Sequence, residues 1–257
     1  MFDAVYVINL ATSTDRWASM QRLLAHAGFS DAIRFEAIDG HALGEAGVRA
    51  LQDKGLLARD LSRFDAACRA GEIGCALSHA AVMRELVEKG VGSALVLEDD
   101  VALAGDPVTW RTRCERAHRD LPPGWDLWFL YRCFDVAHRV KRLTKRIVVP
   151  WTPLGGAAYA VSERGARKIL PALQPLASAI DRIYVEDLVR PGRLEAYAAS
   201  PLLIEAGTEH PSIINFENPE KGFVVSGVNR PPEYWPREYL AHLGEQAPRR
   251  WWQRWYR

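Results

Sequence analysis

The stretch Ala94-Leu95-Val96-Leu97-Glu98-Asp99-Asp100-Val101 constrains this chain more than any other. Its aliphatic half reads as a buried strand, and it ends in three consecutive carboxylates. Negative charge is thereby set at the carboxyl end of a strand, where α/β sheets open into their ligand crevice. Three adjacent acids are unfavourable unless something positive neutralises them. A hard divalent cation, manganese or magnesium, prefers carboxylate oxygens and leaves coordination positions for substrate phosphates. In strand geometry Glu98 and Asp100 share a face and Asp99 points away. If the strand stops at Glu98, all three can reach the crevice. A solvated strand end or a capping cluster is the plainer alternative.

Around this stretch, short apolar runs alternate with amphipathic ones. Ala4–Leu10 predicts a first buried strand, and Thr12 or Ser13 can cap the helix after it. Trp17, Met20, Leu24 and Ala27 recur at helical spacing, and Gly28 stops them. Ile33–Ile38 predicts a second strand closed by Asp39-Gly40. Residues 41–71 read as a less regular, short helical excursion. Gly74–Lys89 predicts a helix, Asp106-Pro107 starts another, and Asp126–Tyr131 is a fourth strand. This β-α-β-α-β-α-β order predicts a parallel sheet with helices on both faces. Beyond Arg132 come a basic hairpin over Arg139–Val149, a flat strand over Gly155–Val161, a helix capped by Ser162, and a strand over Leu194–Ala198. Regular patterning fades from about Ser212.

The 257 residues, 48% of them hydrophobic, suffice for one large domain or two small ones. A formal net charge of +1 gives no global reason to expect a nucleic acid partner. Cys68, Cys75, Cys114 and Cys133 lack CxxC spacing and read as reduced structural thiols. With no leader pattern and no membrane-length apolar run, the expected location is cytoplasmic.

A second constellation is Gly71-Glu72-Ile73-Gly74-Cys75-Ala76-Leu77-Ser78-His79. Two glycines opening a helix allow close backbone approach to a ligand, and Ser78 and His79 would lie in first turns that favour anions. The alternative is a tight helix–sheet contact with His79 satisfied in the core.

These segments resemble glycosyltransferase family 25 in kind and in order. The likeness runs through Val5–Leu10 with Asp15-Arg16, Ala37–Gly40, Gly71–His79 and Leu97–Val101. It continues through Gly155–Ser162, Gly165-Ala166 and Ile180-Asp181, covering roughly Ala4 to Ile214. The family includes lipooligosaccharide and procollagen galactosyltransferases. The resemblance implies a GT-A-type, Rossmann-like α/β fold with a mostly parallel central sheet flanked by helices. It also implies a UDP-sugar donor, manganese dependence and inversion at the anomeric carbon. Glu98-Asp99-Asp100 is similar to the family's acidic motif, with Asp100 foremost as metal ligand and Asp99 on the donor side. Asn9, Leu10 and Arg16 resemble the strand end that cradles the nucleotide. Asp39 and Ser78 resemble base or ribose contacts. Gly155-Gly156 departs from the family's Gly-Thr-Ala-Gly-Tyr wording.

An inverting transfer needs a carboxylate to take the acceptor hydroxyl's proton. Asp181 is the first candidate, although Ala179 replaces the proline of the family's Pro-x-Asp. Glu186 and Asp187 stand behind it, and on a helix Asp181 and Glu186 would not share a face. His210 is a candidate late metal ligand, against the plainer reading of a hydrogen-bonding loop histidine. The tail Arg249–Arg257, wound as a helix, would gather Trp251, Trp252, Trp255 and Tyr256 on one side and arginines on the other. That pattern suits the interface of an anionic membrane, or a tail packed on the protein.

The expected organisation is a catalytic domain over 1–215, with a nucleotide-sugar half (1–132), an acceptor half (133–215), and an extension over 216–257 that is membrane-peripheral. The expected function is transfer of a hexose, galactose from UDP-galactose foremost, to a hydroxyl of a cell-surface glycan such as lipopolysaccharide. The alternatives are a nucleotide-sugar-binding protein without turnover and a metal-dependent phosphohydrolase.

Overall fold

The computed structural model describes residues 1–207 apart from 134 and 136–138. Its centre is an eight-stranded sheet. The strands are β1 (Ala4–Asn9), β2 (Ile33–Glu36), β3 (Ser93–Glu98), β5 (Leu127–Phe129), β6 (Lys141–Arg142), β7 (Ile147–Val149), β8 (Ala158–Ser162) and β9 (Ala196–Ala199). Their order is β2-β1-β3-β8-β5-β9-β7-β6. β2, β1 and β3 pair in parallel, β8 enters antiparallel between β3 and β5, and β9 is parallel to β5. β7 and β6 close the far edge as the expected antiparallel hairpin. All strands except β8 and β7 therefore run one way, so the sheet is mostly parallel. The fourth predicted strand does not neighbour the third, because β8 from the second half of the chain is inserted there. The two halves thus share one sheet.

Side-chain alternation builds two cores. Tyr6 and Ile8 of β1 and Val96 of β3 pack on one face with Ile73, Met83 and Leu86 of α3 (Arg69–Glu88). Val5 and Val7 with Leu95 and Leu97 pack on the other, against Met20 and Leu24 of α1 (Thr14–His26) and Trp110 of α4 (Pro107–Arg119). Apolar residues on both faces of β1 and β3 leave these strands no exposed side, which requires helices above and below.

The local chemistry was legible in places. Asp106 accepts from the Val108 amide with Pro107 at the first helical position of α4. Ser162 Oγ accepts from the Gly165 amide at 3.0 Å, capping α5 (Glu163–Ile169). Elsewhere the sequence reading needs correction. Ser13 stands at the N-cap of α1 but makes no capping bond with its side chain. Asp39-Gly40 does not merely close β2. Asp39 caps α2 (Gly40–Asp53), a helix kinked at Gly44 that makes up the first part of the helical excursion expected over 41–71. α3 starts at Arg69, so Ser78 and His79 lie mid-helix and fully buried, away from the anion-favouring first turn. The glycines there serve close packing. A Cβ on Gly74 would stand 2.5 Å from the Gly40 amide nitrogen, and one on Gly40 would meet the Ala70 carbonyl.

The acids occupy a tight turn. β3 ends at Glu98, Asp99-Asp100 make the turn, and β4 (Val101–Leu103) leaves it to pair antiparallel with β10 (Ile204–Ala206). The Gly207 amide donates to the Asp100 carbonyl at 2.7 Å, closing this small ribbon behind the turn.

Candidate active site: an acidic turn between two helices

At the turn the three acids part company. Asp99 goes to the α1 side. Its carboxylate accepts from Arg16 Nη1 at 2.8 Å and from Asn9 Nδ2 at 2.6 Å. Asn9 in turn accepts from Arg34 Nε at 2.7 Å, and Arg34 also donates to the carbonyls of Leu10 and Ala11. The Arg16 and Asp99 side chains are only 9% and 10% exposed. Asp99 is therefore a member of the network that fixes the end of β1. The structure joins Asn9, Leu10, Arg16 and Asp99 into one unit, with the acid turned toward protein.

Glu98 goes to the α3 side, as strand alternation demands. His79 Nε2 lies 3.3 Å from Glu98 Oε1, and Cys75 Sγ lies 3.8 Å from the same oxygen. His79 Nδ1 is 2.8 Å from the Tyr159 hydroxyl. A carboxylate on one side suits a proton on Nε2, which leaves Nδ1 to face the Tyr159 hydroxyl on the other. Sequence reasoning missed this chain of contacts. Its only sequence signal was the Cys75-x3-His79 spacing, which puts both residues on one helical face once the helix is known to span them.

Asp100 makes no ion pair among the described residues. Burial and the neighbouring charges of Glu98 and Asp99 push its carboxyl up to about 7, with Arg16 opposing. Asp181 faces the same region from α6 (Ile180–Arg182). Burial raises its carboxyl and the Glu98 charge adds to that, against the Arg182 amide, the Arg182 guanidinium and the Gly155 amide. Its Oδ1 accepts from the Arg182 amide at 2.8 Å. The Gly155 amide is aimed there by a backbone at φ +107°, where a side chain would be strained. Burial also pushes up the Cys75 thiol, with Glu98, Asp181 and Asp100 adding to the effect. Glu72, one helical turn earlier, is raised to about 7 chiefly by burial, with Asp181 and Asp65 contributing.

Asp100 and Asp181 thus each lie in the field of Glu98 at the carboxyl end of the central strand. Among the described residues, Arg16, already held by Asp99, opposes the shift at Asp100, and Arg182 opposes it at Asp181. Carboxylate oxygens gathered at a strand end suit a hard divalent cation, so the donor chemistry of Glu98 and Asp100 fits the metal that the acidic motif implies.

Other candidates fall elsewhere. Arg63 holds Asp187 at 3.1 Å and Glu186 at 3.2 Å, so these two acids are engaged in ion pairs. After α6 the chain continues as a π-helix, Ile183–Val189. Its i→i+5 bonding replaces the α-helical geometry on which the facing of Asp181 and Glu186 was reasoned. The Asp39 carboxylate accepts from the His41 and Ala42 amides. Ser78 Oγ accepts from the Ile38 amide at 2.8 Å and donates to the Gly74 carbonyl. Both fix the junction of β2, α2 and α3. His210 and the tail 249–257 lie outside the described residues.

Comparison with known proteins agrees with the first half of the fold. Residues 2–121 match the sequence model of glycosyltransferase family 25 (LPS biosynthesis protein). Procollagen galactosyltransferase 1 of Danio rerio is 32% identical over 225 residues, covering 79% of this chain and 36% of that protein. The inactive glycosyltransferase 25 family member 3 of Homo sapiens is 34% identical over 184 residues, covering 68% of this chain and 29% of its own length. The chain therefore spans about a third of the length of the curated relatives it matches. A solved glycosyltransferase involved in glycosylation of the major capsid of PBCV-1 overlaps 75% of this chain and 80% of its own at TM-score 0.38 and 10% identity. That overlap is too loose to assign a fold by, so the assignment rests on the strand order itself. With its acidic turn at the end of the matched segment's central strand, the chain is a homologue of glycosyltransferase family 25 members and carries that family's sequence over residues 2–121.

Proposed function

We propose that the protein is a metal-dependent, inverting glycosyltransferase that moves a hexose, galactose from UDP-galactose in the first instance, onto a hydroxyl of a cell-surface glycan such as lipopolysaccharide. The observation that carries this reading is the acidic turn at the carboxyl end of β3, where Glu98 and Asp100 stand beside each other with Asp181 in the field of Glu98. In this reading Glu98 and Asp100 hold manganese or magnesium, which when bound neutralises the charge of a departing nucleoside diphosphate. The Asn9–Asp99–Arg16 network holds the end of β1 rigid beneath the nucleotide. Asp181 takes the acceptor proton. Burial raises its affinity for a proton, which is the direction a general base needs. Glu186 and Asp187, held by Arg63, are set aside as bases. Residues 1–132 serve the donor and 133–215 the acceptor. The cytoplasmic location and the peripheral membrane contact of the tail stay part of the proposal on sequence pattern alone.

A second reading is a nucleotide-sugar-binding protein without turnover. It draws support from the likeness to a human relative named inactive. One experiment separates the two. Purified protein is incubated with manganese, UDP-galactose and a deacylated lipooligosaccharide, and release of UDP and the anomeric signal of the product are followed by NMR. The enzyme reading expects a β-linked product and none from Asp181→Asn. Donor binding without UDP release would favour the second reading.

A further inference from the structure

We propose that Cys75, His79 and Glu98 form a second cation site, selective for a thiophilic divalent ion such as zinc and sharing one carboxylate with the hard-metal site. The three donor atoms lie within 4.8 Å of one another. A tetrahedral zinc ion bound at the usual bond lengths sets nitrogen and oxygen donors ~3.4 Å apart and sulfur and oxygen donors ~3.6 Å apart. The corresponding separations here are 3.3 Å from His79 Nε2 to Glu98 Oε1 and 3.8 Å from Cys75 Sγ to the same oxygen. Two edges of the tetrahedron are thus already formed.

The supporting structure suits the role. Cys75 and His79 are one turn apart on α3, a packed helix, and Glu98 ends a central strand, so all three ligands sit on rigid elements. His79 is fully buried, and Tyr159 contacts its second ring nitrogen at 2.8 Å. A metal-bound histidine needs such an outer partner, with the ring now donating Nδ1–H to the phenol oxygen. Glu98 keeps 21% of its side chain exposed, which leaves an approach for the ion from that side. Asp100 and Asp181 add negative potential around the thiol. A thiolate and an imidazole favour zinc or cobalt over manganese and magnesium, which take oxygen. On binding, Cys75 loses its proton to the buffer and the ion gains a thiolate. Because Glu98 is shared, zinc here withdraws a carboxylate from the donor site. That last consequence, antagonism of donor binding, rests on the proposed glycosyltransferase reading; the cation site itself does not.

The test is titration of the full chain, reduced with a phosphine, with Co2+ alone. The expected result is a thiolate-to-cobalt charge-transfer band in the near ultraviolet that saturates at one equivalent and is bleached by one equivalent of Zn2+. Cys75→Ser removes the band although Cys68, Cys114 and Cys133 remain. His79→Gln weakens binding at least ~10-fold, with circular dichroism confirming the fold. Asp100→Asn keeps the band, which separates this site from the hard-metal one. A wild-type titration without the band, or a band surviving in Cys75→Ser, overturns the proposal. Zinc weakening UDP-galactose binding in the wild type but not in Cys75→Ser supports the antagonism. If the band is present but zinc leaves donor binding unchanged, the shared-carboxylate consequence is overturned and the cation site stands.

Discussion

At the scale of single residues, three neighbouring acids have three fates. Asp99 is charged, nearly buried and compensated, so its partner matters more than the pair. Removing one member of a buried ion pair strands the other charge, at a cost of about 3–5 kcal/mol. Arg16→Ala should therefore lower the unfolding free energy by that order in urea titrations. The double variant Arg16→Met with Asp99→Leu should recover most of the loss, since no charge is left unpaired. Glu72 sits at the opposite extreme. Its carboxyl is raised from 4.5 to about 7, so the folded protein binds a proton that the unfolded chain has released. Its contribution to stability is complete below pH 4.5 and is lost as pH rises through about 7. The urea midpoint of the metal-free protein should fall across that window, and Glu72→Gln should flatten the fall. An unchanged slope in the variant would show that Glu72 is not the group responsible.

At the scale of elements, the legible parts were those in which one residue type does one local job. Asp106-Pro107 and Ser162 announced helix starts because capping is decided by a few neighbouring atoms. Replacing Ser162 by Ala should cost about 1 kcal/mol, read from thermal or urea unfolding, since Oγ also donates to the Trp125 carbonyl. The start of α3 was misread because Gly71 and Gly74 look like the opening of a helix when only local propensity is weighed. In the fold they lie in the first two turns of a helix that already begins at Arg69, and Gly74 is needed for its contact with Gly40. Gly74→Ala should accordingly destabilise the protein even though alanine is the better helix former, and differential scanning calorimetry would register a lower Tm. The insertion of β8 was equally hidden. Its pairing with β3 and β5 joins residues about 30 to 70 positions apart, and no local pattern encodes it. The acidic turn was visible because charge at a strand end is a local anomaly. The destination of each acid was visible only as far as strand alternation reached.

At the scale of the whole molecule, the sheet draws its donor-side and acceptor-side candidates from different parts of the chain. β1 and β3 bring Asn9, Asp99 and Glu98 from the matched segment, while β8 brings Tyr159 and the region after it brings Asp181. A turn of acids closed from behind by β4 and β10 cannot relax outward to dilute its own charge. In the proposed reading, a bound cation supplies the charge that the Arg16–Asp99 pair leaves unmet at Glu98 and Asp100. This is the central claim, and it ties donor affinity to the metal through a single carboxylate. The most direct measurement is isothermal titration calorimetry of UDP-galactose into the full chain, with and without manganese, for the wild type and for Asp100→Asn. The account predicts binding that requires manganese in the wild type and is weakened at least ~10-fold in the variant. Equal donor affinity in the two proteins, or binding indifferent to manganese, would contradict it.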